Sequence, residues 1–78
     1  MRYTIVKGIN DDLRLDLGSD TAIICKVMEI GKTLDALTYQ VTLSGNELIE
    51  FLKSFNLTKA LNADIKPENS YTLTACDW

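Results

Sequence analysis

The chain has 78 residues, 46% hydrophobic and 24% charged, with 8 basic and 11 acidic side chains giving a formal charge of −3. That describes one small domain, 1–78, of ordinary globular composition, and the low content of Gly (4) and Pro (1) excludes collagen-like or disordered character. There is no histidine, so a Ser–His or Cys–His nucleophile pair cannot form within one chain.

Residues 3–7, YTIVK, are rich in β-branched and aromatic side chains and read as a first strand. Gly8 to Asp11 carry turn chemistry. In LRLDL, residues 13–17, Leu13, Leu15 and Leu17 alternate with Arg14 and Asp16, the period of a half-buried strand. Gly18 to Asp20 make the next turn.

Residues 21–30, TAIICKVMEI, carry two signals. Ile23, Ile24, Val27 and Met28 have the spacing of a helix face, and Ser19 or Asp20 can cap it. Five of the ten residues are β-branched, however, and Gly31 stands where a hairpin would turn. The composition favours a strand, and a helix stays open. Residues 36–43, ALTYQVTL, alternate cleanly. The period then changes: Ser44-Gly45-Asn46-Glu47 fits a capping box, with Leu48, Phe51, Leu52 and Phe55 at helical spacing behind it. Asn56 suits the helix end, and Leu57, Ala60 and Leu61 suggest a second short helix before Pro67. SYTLTACDW, residues 70–78, supplies the last strand.

The expected fold is α+β: an antiparallel sheet of four to five strands with one main helix, about 45–55, on one face, in the order ββββα(α)β. Strand parity sends Leu13, Leu15, Leu17, Leu37, Tyr39, Val41, Leu43, Tyr71, Leu73 and Ala75 toward the helix. Arg14, Asp16, Thr38, Gln40, Thr42, Thr72 and Thr74 then form an open face, either solvated or used for contact. If 21–30 is a strand, Ile23, Cys25 and Val27 join the core, and Ala22, Ile24, Met28 and Ile30 form an apolar strip on the open face. Cys76 falls on the open side, opposite to Cys25, which makes a disulfide geometrically unfavourable.

The chemistry available is limited. The four glycines stand apart at turns, so no phosphate-cradling loop exists, and two cysteines without a CxxC give no zinc-site spacing. Asp11, Asp12, Asp16 and Asp20 lack the register of a calcium loop. No cofactor, metal or catalytic residue is expected, and the expected protein is no enzyme. The basic residues are scattered with no two adjacent, which argues against direct nucleic-acid binding. No apolar run approaches the ~20 residues of a membrane span. The start, MRYTIVKGINDD, does not have the form of a signal peptide. A cytoplasmic protein with free thiols is the expectation.

By elimination, the expected function is a small acidic protein-binding module that occupies a surface of a larger macromolecule. The size and acidity are those of phage or mobile-element inhibitors of nucleic-acid-handling machinery, of the anti-CRISPR or anti-restriction type. Asp11, Asp12, Asp16 and Asp20 would steer it onto a basic nucleic-acid-binding surface. Ile24 and Met28 would supply apolar contact and Trp78 an aromatic anchor. The alternative is a homodimer or other homo-oligomeric structural domain closed through the open sheet face.

Overall fold

A computed structural model describes residues 2–9, 13–57 and 64–77. Its element order is β1 (Arg2–Gly8), β2 (Arg14–Gly18), α1 (Thr21–Ile30), β3 (Lys32–Asp35), β4 (Thr38–Ser44), α2 (Gly45–Ser54) and β5 (Ser70–Asp77). The strands form one antiparallel sheet in the order β2-β1-β5-β4-β3. The α+β class and the antiparallel sheet are as expected. The order is ββαββαβ, because residues 21–30 form a helix and residues 32–35 a separate short strand.

Connectivity explains why helical spacing prevails over β-branched content in that segment. β2 lies at one edge of the sheet and β3 at the other. The connection must therefore cross a face about 19 Å wide, and a ten-residue helix spans about 15 Å of it. Asp20 starts the helix, its carboxylate accepting the Ala22 N–H at 2.8 Å. Ile23, Ile24 and Val27 are buried beneath it. Ile24, expected on the open sheet face, is thus a core residue at 1% exposure, and Met28 is half-buried against the core. Cys25, expected in the core, is exposed on the outer side of α1, while Cys76 is buried; both are free thiols.

The second helix follows its sequence signals closely. The Glu47 N–H donates to Ser44 Oγ at 3.2 Å and the Ser44 N–H to Glu47 Oε1 at 3.1 Å, which completes the capping box. At the other end Asn56 takes φ +57°. The Asn56 and Leu57 N–H groups return to the carbonyls of Lys53 and Leu52, a Schellman stop. The second short helix expected from Leu57, Ala60 and Leu61 falls mostly outside the described residues. Downstream, the chain passes directly over the start of α2. The Gly45 N–H donates to the Asn69 carbonyl at 2.8 Å, and a side chain at Gly45 would collide with the Lys66 carbonyl oxygen. The buried Tyr71 hydroxyl accepts the Lys66 N–H at 2.9 Å, holding this return segment to the sheet.

Both helices pack on the same face of the sheet. Val6, Leu43, Tyr71, Leu73 and Ala75 meet Ile23, Ile24, Val27, Leu48, Phe51 and Leu52 in one core. Leu15, Leu17, Tyr39 and Val41 pack at its margin. Leu37 does not join them: it sits in the β3–β4 turn and is 45% exposed. Among the described residues, no helix is long and apolar enough to cross a membrane.

Candidate functional site: the open face of the sheet

With both helices on one side, strand register dictates what the other side presents. One row crosses all five strands: Asp16, Ile5, Thr74, Gln40 and Lys32. Beside it runs Arg14, Lys7, Thr72 and Thr42, and on the other flank Tyr3, Cys76, Thr38 and Asp35. The residues assigned to this face from parity all lie on it. The sequence left out the contribution of β1, namely Tyr3, Ile5 and Lys7. YTIVK is apolar at both parities, and neither Ile5 nor Val6 alone says which way the strand faces; their low exposures, 9% and 0%, show the same ambiguity in the fold.

The rows of β1, β2 and β5 enclose a groove of about 640 Å³, open to solvent, with Ile5 in its floor and Ile9 exposed at its end. Tyr3 flanks it. A hydrogen bond with Cys76, reinforced by the charge that sulfur would carry as a thiolate, raises the Tyr3 phenol above its ordinary pKa, while Arg14 opposes the rise.

The charges on this face are arranged unevenly. Lys7 and Arg14 stand directly opposite each other on neighbouring strands, and neither has an ion-pair partner among the described residues. Like charges in that relation are destabilising. The acids of the same face each bond a backbone N–H through one oxygen: Asp16 accepts the Gly18 N–H at 2.9 Å and Asp35 the Leu37 N–H at 2.8 Å. Among the described residues that line the groove, two cations, Lys7 and Arg14, stand against one acid, Asp16, on a chain whose overall charge is negative.

The contact residues expected from sequence are not brought together. Asp16 lies on the open face near the β2 edge, and Asp20 caps α1. Ile24 and Met28 belong to the helical layer. Asp11, Asp12 and Trp78 lie outside the described residues. No group of three or more Cys, Asp or Glu side chains among the described residues is placed to hold a metal ion. A second cavity, about 450 Å³, lies on the helical layer, where Leu43 and Phe51 are flanked by Lys26, Glu47 and Glu50. No family model, curated protein or solved structure matches the chain.

Proposed function

We propose that this chain is a binding module that acts by occupying a surface of a larger protein, and that its working surface is the open face of the sheet. One observation carries the reading: all five strands expose one face that no described helix covers, and that face is grooved. Two layers suffice for a core of this size, so the second sheet face is available for contact. An antiparallel sheet is a rigid platform, and side chains on rigid elements hold their spacing better than those on loops.

The acidic-edge form of this reading sets the module on a basic nucleic-acid-binding surface, as an inhibitor of such machinery would sit. Of its four acids, Asp16 and Asp20 are described, and each carboxylate bonds a local backbone N–H. The groove is the better-placed element for contact. Action in the cytoplasm suits the two free thiols.

Photo-crosslinking tests the proposal. A benzoylphenylalanine placed at Gln40, on the open face, should capture a defined partner from cells of the source organism. The same probe at Lys53, exposed on α2, should not. Capture at Gln40 should be competed by unlabelled wild-type chain but not by a Thr74→Trp variant, whose indole fills the groove. Equal capture at the two positions, or competition by Thr74→Trp, overturns the assignment of the open face. A crosslinked product of twice the chain mass at Gln40 would replace the foreign partner with a second copy.

A further inference from the structure

Resting on the open face as the working surface, we infer that its groove recognises a short acidic segment of the partner, a peptide stretch rich in Glu or Asp, with Lys7 and Arg14 as a paired clamp. Three observations lead there. First, the two cations are direct cross-strand neighbours without a counter-ion among the described residues, an arrangement that disfavours the isolated fold and that an incoming carboxylate relieves. An arginine with its planar fork and a lysine with its mobile ammonium together reach both oxygens of a carboxylate and its neighbour in sequence. Second, Asp16 is the one acid among the described residues lining the groove and bonds the Gly18 N–H through one oxygen, while Thr74 and Gln40 add neutral polar groups beyond Ile5. Third, the groove is open and polar, unlike the enclosed apolar pockets that hold small molecules, so an extended segment fits it better.

The partner is narrowed further by the overall charge. A nucleic acid carries a charge about every 1.7 Å of duplex, and beyond the two cations its phosphates meet a chain of net −3. A short peptide needs to place only its few carboxylates at the two cations, on the side of the groove away from Asp16.

Fluorescence anisotropy with the full chain decides the matter. The probe is a fluorescein-labelled Glu-rich peptide; its Gln counterpart and a single-stranded oligothymidylate serve as comparisons. The Glu peptide should bind saturably and lose affinity as salt is raised. The double variant Lys7→Glu/Arg14→Glu should weaken it by about tenfold or more. Lys26→Glu/Lys53→Glu on the helices makes the same change in net charge and should leave affinity within about twofold. The Glu/Glu pair keeps like charges opposed, so its fold should be as stable as the wild type by circular dichroism; if it is not, Lys7→Gln/Arg14→Gln takes its place. Equal weakening by both double variants, equal binding of the Gln peptide, or tighter binding of the oligonucleotide overturns the inference. If the peptide fails but the Gln40 crosslink still captures its partner, only the acidic chemistry falls. If both fail, so does the open-face reading.

Discussion

Replacing Thr4 by valine should stabilise this protein. Thr4 lies on β1 facing the helical layer, paired with Ala75 and with Gly18 across an irregularity in the β1–β2 register. It is 0% exposed, and its hydroxyl has no hydrogen-bond partner among the described residues. A buried polar group left unbonded costs about 1–3 kcal/mol. Valine keeps the β-branched shape and puts a methyl where the hydroxyl was, removing that cost. For a domain of this size each 1 kcal/mol moves Tm by about 4–8 °C, so Thr4→Val should raise Tm by about 5–15 °C. Thr4→Ser is the informative partner: it keeps the hydroxyl, loses the methyl, and should destabilise by about 1 kcal/mol. Thermal unfolding followed by circular dichroism, with urea midpoints at unchanged m-value, reads both. A lower Tm for Thr4→Val would show that the hydroxyl is bonded in the folded protein, and the argument would fail.

The capping box predicts that Ser44→Ala lowers stability by about 1 kcal/mol; an unchanged urea midpoint would mean that the Ser44–Glu47 exchange adds nothing. Lys7→Glu alone turns a like-charge neighbour of Arg14 into an opposite one and should raise stability by about 0.5 kcal/mol at low salt, less at high salt, which thermal scans at two ionic strengths would detect. Under native conditions a thiol reagent should modify Cys25 and spare Cys76 until the chain unfolds, and rapid labelling of both would contradict the burial of Cys76 at 2%. Because folding raises the Tyr3 pKa, chiefly through its hydrogen bond with Cys76, its contribution to stability is intact below the ordinary value of 10.0 and is lost as pH rises through the raised one. Ultraviolet titration of tyrosinate should show Tyr3 moving down in Cys76→Ala, and an unmoved titration would remove Cys76 as the cause.

Legibility in the sequence followed how many faces of each element are buried. β2, β4 and β5 each have one apolar and one polar parity, so their alternation gave both the element and its orientation. α2 was readable because its cap, its apolar face and its Asn56 stop agree with one another. Residues 21–30 misled because β-branched residues serve a helix as well as a strand once they face a core. What decided between them was the edge-to-edge crossing from β2 to β3, a long-range fact that no local window contains. That one error carried Ile24 onto the wrong surface and Cys25 into the core. β3 was missed because KTLD has no alternation to detect; all four of its residues are exposed at the sheet edge.

A sequence whose local choices agree with its fold breaks a local rule mainly where something else is being selected. β1 breaks two. On the core side it buries the Thr4 hydroxyl with no partner among the described residues, and on the open side it sets Lys7 against Arg14. The first lies in the core and is reached by no ligand, so Thr4→Val tests it as a cost to folding alone. The second faces a groove, where a bound anion can remove the cost. Stability and binding are therefore expected to part company at Lys7: substitution by glutamate gains the one and forfeits the other, whereas Thr4→Val gains stability and leaves binding as it was. A module in which both substitutions moved stability and neither moved binding would have its contact surface somewhere other than this sheet face.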